Sequence, residues 1–245
     1  MNNLLITIGD SWTEGIGCYP DYILEKYGDP PVINYKDPAC FDDYNLMCKH
    51  YKENGWPARL AALLENHEMI NLGKAGAANS ACAKNFETFL RNFNRQKYDR
   101  ILVIFLMSEP SRFSFFSNRE VKSFLPSWNE DSLEQEKFMT YYTLKVAKSD
   151  DDFWNESIFY LNCISSFCKN FDMDLVFGSA FSRAKDCEYF KNMTNILFRD
   201  QNNWNARDLL DDAEMSKCHH PNIVGYKKIA EYMYADLKKL GFIKR

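Results

Sequence analysis

Four short apolar segments restrict the fold of this chain more than any other feature of its sequence. Each has the length of a buried β-strand, and the stretches between them space their apolar residues as helices do. Residues 101–106 are the most hydrophobic segment, which is typical of a central strand in a parallel sheet, because such a strand is buried on both faces. The other segments are residues 4–8, 69–72 and 175–179. Strands that alternate with helices predict right-handed crossovers and a parallel sheet with helices on both faces.

The predicted fold class is therefore α/β, a three-layer α/β/α sandwich with a mostly parallel, flavodoxin-like sheet. At 245 residues the chain is expected to form one domain, residues 1–245. Helices are predicted over about residues 55–66, 78–94, 153–171 and 222–240. Two long insertions, about residues 16–55 and 113–152, are predicted to border the functional site of the fold. The first is expected to be irregular, because its prolines and acidic residues oppose one continuous helix, and the second to contain a helix near residues 132–147.

Composition and charge exclude several classes of partner. The net charge of −4 gives no electrostatic reason to expect nucleic acid, and no apolar run approaches the ~20 residues that cross a bilayer. The first residues lack a basic segment followed by an apolar stretch, which predicts a cytoplasmic location. The eight cysteines are scattered without a CxxC pair, so we expect free, mostly buried thiols and no zinc ribbon.

The first apolar segment ends abruptly at Gly9-Asp10-Ser11. In an open α/β sheet, sites form just beyond the carboxyl ends of the strands, so this turn would hold a serine hydroxyl where a nucleophile is needed. An Asp-Ser turn that only caps a helix is the alternative interpretation.

A glycine-rich loop, residues 73–76, follows the second strand segment. Its glycines would let the backbone approach a ligand closely before the next helix begins. A phosphate loop does not fit, because Lys74 is followed by Ala75 rather than by serine or threonine and the preceding glycine spacing is wrong.

Two of the four histidines, His219 and His220, are adjacent in a loop that Pro221 ends and that leads into the last helix. Histidine is the side chain best suited to take a proton from serine near neutral pH. A solvated loop residue is the alternative for either histidine.

In order and position, these three segments resemble the sequence blocks of the SGNH, or GDSL-type, hydrolase family. Gly9-Asp10-Ser11 is similar to the first block, residues 71–76 to the second, and residues 220–226 to the last. The resemblance implies that Ser11 is the nucleophile, that His220 is the general base, and that the backbone N–H groups of Ser11 and Gly76 form an oxyanion hole. It also implies ester hydrolysis through an acyl-serine, without a metal or an organic cofactor.

The family resemblance points to small acyl esters of alcohols, sugars or lipids. Aromatic side chains in the first insertion favour an O-acetylated carbohydrate as the substrate partner. These side chains are Tyr19, Tyr22, Tyr35 and Tyr44, and packing of the insertion on its own domain would explain them equally well. The sequence does not indicate an oligomeric state.

The chain departs from the family pattern in two places. The third block normally carries an oxyanion-hole asparagine, but the strand here ends in residues 106–110 without one, and the Ser108 hydroxyl is the candidate replacement. The family also has an aspartate three residues before the histidine, where this chain has Lys217. A backbone carbonyl of residues 216–218 could then orient His220. The carboxylates that could do so instead, or could be simply solvated, are Asp211, Asp212 and Glu214.

Three other functions stay open. A carbohydrate-binding protein on the same scaffold, with weakened catalysis, predicts affinity without turnover. A flavodoxin-like nucleotide or phosphate binder gives Ser11 and His220 no reason to meet. A metal site built from Cys218, His219 and His220 is the weakest candidate, because adjacent residues can rarely all face one ion.

Overall fold

The computed structural model describes residues 2–116, 121–124 and 150–243, and a four-stranded parallel sheet lies at its centre. The strands of this sheet are β1 (Asn3–Ile8), β2 (His67–Asn71), β3 (Arg100–Met107) and β6 (Asp174–Ser179). Their order is β2-β1-β3-β6, and every neighbouring pair is parallel. An antiparallel pair, β4 (Phe113–Phe116) and β5 (Val121–Phe124), forms a separate sheet. The predicted parallel sheet, with residues 101–106 in an interior strand, is confirmed.

Helices connect these strands. The α-helices are α1 (Ser11–Glu14), α2 (Asp21–Tyr27), α3 (Phe41–Asn54), α4 (Trp56–Leu63), α5 (Asn79–Leu90), α6 (Asp150–Asn170), α7 (Glu188–Lys191) and α8 (Ile223–Lys239). The 3₁₀ turns are Pro38–Cys40, Arg95–Lys97, Ala184–Asp186, Arg207–Leu209 and Asp212–Glu214. The four helices predicted from the sequence correspond to α4, α5, α6 and α8.

Alternate side chains of the strands enter two separate cores, one on each face of the sheet. Leu102 and Ile104 of β3 pack in the core that contains Trp56 of α4 and Met233 of α8. The next residues of the strand, Val103 and Phe105, pack in the core formed with α5 and α6. Burial of both faces explains the continuous apolar sequence of β3, and the three-layer sandwich is confirmed.

The expectation of an irregular first insertion is wrong over much of residues 16–55, because α2 and α3 lie there. Helix α3 begins immediately after the turn at Pro38, so proline precedes the helix instead of interrupting it. Met47 and Tyr51, one turn apart, bury its inner face. The helix expected near residues 132–147 lies outside the described residues.

Within the described ranges, no helix combines the length and apolar character of a membrane span. All eight cysteines fall within those ranges, and all are free.

Candidate active site

The carboxyl edge of the sheet brings together the serine and the histidine that the sequence analysis paired. His220 Nε2 lies 2.8 Å from Ser11 Oγ, although the two residues are 209 positions apart in the chain. Ser11 begins α1 directly after β1, and His220 lies in the loop before α8. This distance is within hydrogen-bond reach, the geometry that a nucleophile and its base require.

Tight packing at Gly9 fixes the turn that carries Ser11. A Cβ atom on Gly9 would lie 2.1 Å from Thr13 Oγ1 and 2.7 Å from the Leu106 carbonyl oxygen, so only glycine fits there. Asp10 then caps α1 by accepting a hydrogen bond of 3.1 Å from the Trp12 N–H. The turn therefore presents Ser11 in one orientation.

The Asp10 carboxylate is fully buried and belongs to a polar network behind the serine. Its Oδ2 accepts a hydrogen bond of 2.9 Å from the Ser108 hydroxyl and one of 3.1 Å from the Arg112 guanidinium. Arg112 also donates to the Ala77 carbonyl oxygen at 3.2 Å. The network ties together the segments that directly follow β1, β3 and the glycine-rich loop. This role of Asp10 and Arg112 could not be predicted from the sequence, in which the acidic residue beside Ser11 was the only signal.

Ser108 is correspondingly not placed as an oxyanion donor, which corrects the sequence-based expectation. Its single hydroxyl proton is donated to Asp10, its backbone N–H donates to Asn79 Oδ1 at 2.9 Å, and the residue is 1% exposed. Neither group is left to stabilise a charge on a substrate.

The glycine-rich loop packs directly against α1. The Lys74 N–H donates to the Gly9 carbonyl oxygen at 3.1 Å, and the Ala75 N–H donates to Glu14 Oε2 at 2.6 Å. A Cβ atom on Gly73 would lie 2.5 Å from the Glu14 nitrogen, so glycine is needed for this close approach. The loop therefore lies immediately beside the turn that carries Ser11.

At this junction, the backbone N–H groups of Ser11 and Gly76 have no acceptor among the contacts that the structure describes. Gly76 has a positive φ of 73°, a left-handed conformation that favours glycine. These are the two backbone donors that the sequence analysis named for an oxyanion hole.

The histidine loop is held by backbone packing. A Cβ atom on Gly17 would lie 2.4 Å from the Pro221 carbonyl oxygen and 2.9 Å from His220 Cβ, and the Gly17 φ of 106° also favours glycine. The buried Tyr226 hydroxyl of α8 donates to the Ile16 carbonyl oxygen at 2.7 Å. The segment after α1 and the start of α8 are thereby fixed against each other.

The Nδ1 atom of His220 lies 2.9 Å from the Cys218 carbonyl oxygen and 3.3 Å from Cys218 Sγ. A protonated Nδ1 that donates to this carbonyl leaves Nε2 as the free base facing Ser11. The carbonyl belongs to residues 216–218, where the sequence analysis placed a possible backbone acceptor. The neighbouring His219 is exposed and has a φ of 60°.

None of the three candidate acids contacts the His220 ring in the described structure, so the structure does not place any of them as its orienting residue. The Asp211 carboxylate accepts from the Ala213 N–H, and Asp212 pairs with Arg207 at 3.4 Å. Glu214 pairs with Lys228 at 2.7 Å. These three carboxylates instead cap a 3₁₀ turn or form ion pairs at the surface.

A cavity of about 580 Å³ opens beyond the ends of β3 and β6. The described residues that line it are Glu109, Pro110, Ser111, Phe153, Trp154, Phe181, Ser182, Arg183 and Asp186. The Trp12 ring, next to Ser11, packs edge-on against Phe181 with 5.7 Å between ring centroids. The cavity therefore adjoins the turn that carries Ser11 across one aromatic pair.

Across the described ranges, no three His, Cys, Asp or Glu side chains are grouped as metal ligands would be. The Cys218, His219 and His220 group considered from the sequence accordingly forms no such cluster. The short distance between Ser11 and His220 also counts against a phosphate binder, which gives these two residues no reason to meet.

In comparisons by sequence, no family model and no curated protein matched the chain. Similar solved structures include TesA, with 11% identity, 97% of this chain and 99% of that chain covered, and a TM-score of 0.48. A lipolytic protein of the G-D-S-L family from Veillonella parvula has 13% identity, 97% coverage of each chain and a TM-score of 0.32. The acetyl xylan esterase Est2A from Butyrivibrio proteoclasticus has 12% identity, with 99% of this chain and 65% of that chain covered, and a TM-score of 0.48. Sequence identities and TM-scores this low carry no information about activity.

Proposed function

We propose that this chain, whose three sequence blocks resemble those of the SGNH, or GDSL-type, hydrolases, is a serine esterase that cleaves small acyl esters. The observation that carries the proposal is the 2.8 Å contact between Ser11 Oγ and His220 Nε2. A serine hydroxyl is a weak nucleophile until a base removes its proton, and a neutral imidazole at this distance can do so.

In the proposed reaction, Ser11 Oγ attacks the ester carbonyl carbon while its proton moves to His220 Nε2. The tetrahedral intermediate collapses when His220 returns that proton to the leaving alcohol, and an acyl-serine remains. Water then attacks the acyl carbon, with its proton taken by His220 Nε2, and the same proton is returned to Ser11 Oγ as the acid departs.

The negative charge of each tetrahedral intermediate falls on the former carbonyl oxygen. The unpaired N–H groups of Ser11 and Gly76 are proposed to donate to it, because preorganised donors beside a developing charge need no reorganisation during the reaction. With Ser108 bonded to Asp10, these two donors form the proposed oxyanion hole.

An O-acetylated carbohydrate is the proposed substrate class. The limited exposure of Ser11, 8%, favours a small acyl group beside it. The adjoining cavity presents aromatic rings together with the charged groups of Glu109 and Arg183, a combination that binds both the apolar faces and the hydroxyls of a sugar.

The nucleophile is tested with Ser11→Ala and the matched control Ser166→Ala, whose hydroxyl bonds only the Asn162 carbonyl one helical turn earlier. We expect the parent and the control to hydrolyse p-nitrophenyl acetate and to be labelled by a fluorophosphonate, and Ser11→Ala to do neither at an unchanged thermal midpoint. Turnover or labelling retained by Ser11→Ala would overturn the assignment.

The substrate class is tested with Trp154→Ala, which removes an aromatic wall of the cavity. We expect KM for an acetylated xylo-oligosaccharide to rise, while kcat/KM for p-nitrophenyl acetate stays close to that of the parent. An equal loss on both substrates would show that the cavity does not bind the alcohol part.

A binding protein with weakened catalysis is the second candidate, favoured by the absence of a carboxylate at His220 among the described contacts. It predicts that the acetylated oligosaccharide binds in calorimetry while no acetate is released over hours.

A further inference from the structure

The thiol of Cys218 lies at the centre of a polar cluster behind the histidine. Its Sγ is 3.3 Å from His220 Nδ1, 3.0 Å from Ser216 Oγ and 3.2 Å from the Tyr19 hydroxyl oxygen. Three groups that can donate hydrogen bonds therefore converge on one half-buried sulfur. A neutral thiol is a weak acceptor, whereas a thiolate accepts several such bonds.

The hydroxyl groups of Ser216 and Tyr19 are free to donate to the Cys218 sulfur. The His220 carbonyl oxygen accepts from the Ser216 N–H at 2.8 Å, so the Ser216 hydroxyl, 2.9 Å from the same oxygen, can turn its proton to the sulfur. The Tyr19 hydroxyl carries a single proton, and its pKa is raised by burial and by the bond to Cys218, so it is a donor at neutral pH.

We infer that Cys218 is a positioning residue, whose thiolate accepts the Nδ1–H of His220 together with the Cys218 carbonyl oxygen. The thiolate stabilises the imidazolium that forms when Nε2 takes the proton of Ser11. Its charge thus replaces the carboxylate that Lys217 cannot supply. This inference rests on the proposed function, because it assigns a role within the same site.

The environment of the sulfur supports a charge there. Burial acts to raise the pKa of the Cys218 thiol, but the hydrogen bonds with His220, Ser216 and Tyr19 outweigh it and lower the pKa to about 7 from an ordinary value of 9.0. The other titratable groups that face the sulfur are Tyr51 and Tyr226, and burial raises the pKa of both, so they are neutral. No carboxylate among the described contacts opposes the thiolate.

The test compares Cys218→Ala, Cys218→Ser and Cys218→Asp with the control Cys163→Ser, which changes a half-buried thiol on α6. We expect kcat of the Ala and Ser variants to fall about tenfold to a hundredfold at unchanged KM. This is less than the ~10⁴-fold that loss of a triad aspartate can cost, because the backbone carbonyl still holds Nδ1. The Asp variant should recover most of kcat, since a carboxylate restores the charge.

The pH dependence of kcat/KM distinguishes an electrostatic role of Cys218 from a role in packing alone. As the pH falls through about 7, the parent loses the thiolate, so its kcat/KM should fall more steeply there than that of Cys218→Ser, which has no thiolate to lose. Parental kcat/KM in Cys218→Ala at every pH would overturn the inference, and so would equal steepness in the parent and Cys218→Ser.

A second readout does not need esterase activity. The rate at which iodoacetamide alkylates Cys218, followed by peptide mass spectrometry, should reach half its maximum near pH 7 in the parent and at higher pH in His220→Ala. A midpoint near the ordinary value of 9.0 in both proteins would overturn the inference even if the protein is an esterase. An inactive parent that still shows the low midpoint would instead overturn the proposed function alone.

Discussion

At the scale of single residues, the buried pair of Asp10 and Arg112 holds the turn that carries Ser11. Their atoms are 3.1 Å apart, and the two side chains are 0% and 8% exposed. Arg112→Met would leave a buried carboxylate without its cation, and breaking such a pair costs about 3–5 kcal/mol of unfolding free energy. Urea denaturation followed by circular dichroism measures this loss. Arg183→Met is the control, because its pair with Asp186 is mostly exposed and should contribute less than about 1 kcal/mol.

The adjacent histidines allow a test of how the last sequence block is aligned. His220→Ala should lose most of its kcat on p-nitrophenyl acetate, because the base is gone, whereas His219→Ala should stay near the parent, because that side chain is exposed. Steady-state kinetics of the two purified variants decide between them. A larger loss in His219→Ala would show that the base has been assigned one residue too late.

The sequence could indicate Ser11, Gly76 and His220 because each follows a recognisable turn signal beside a strand or a helix. The orientation of Ser108 could not be predicted in the same way. Its hydroxyl is directed by Asp10, a partner 98 residues away in the chain, and only the parallel pairing of β1 with β3 brings the two together. Side-chain direction therefore depended on tertiary contacts that no local pattern contains.

At the scale of elements, the bond from Tyr226 to the Ile16 carbonyl fixes the last helix against the nucleophile segment. Tyr226→Phe should cost about 1 kcal/mol, because it removes a hydrogen bond to a half-buried carbonyl, and it should lower kcat by shifting the histidine loop. Thermal unfolding and ester kinetics check the two effects. Tyr234→Phe, in the same helix, has no hydroxyl bond among the described contacts and should match the parent.

Apolar spacing predicted the helices that pack on the sheet, since α4 and α8 each bury a continuous stripe. Ile223 has the same helical spacing as the buried residues of α8 but is 37% exposed, whereas Tyr226 in the same turn is fully buried. Apolar spacing also missed α3, whose many charged residues leave only Met47 and Tyr51 buried. Short buried stripes in a charged helix give too weak a periodic signal.

At the scale of the whole molecule, stability should not depend on disulfides, because all eight cysteines are free. The thermal midpoint is expected to be the same with and without a reducing agent. Reaction of the unfolded, unreduced protein with a thiol reagent should reveal eight thiols. A lower count, or a midpoint that falls on reduction, would contradict this arrangement.

The proposed nucleophile and its proposed base lie 209 residues apart, on a helix that follows the first strand and in the loop that precedes α8. A ribosome therefore adds Ser11 to the chain 209 residues before it adds His220. Until α8 has emerged and docked, the growing chain carries a serine hydroxyl without its proton acceptor. Synthesis itself would keep the proposed hydrolase inactive until both cores can close around the sheet.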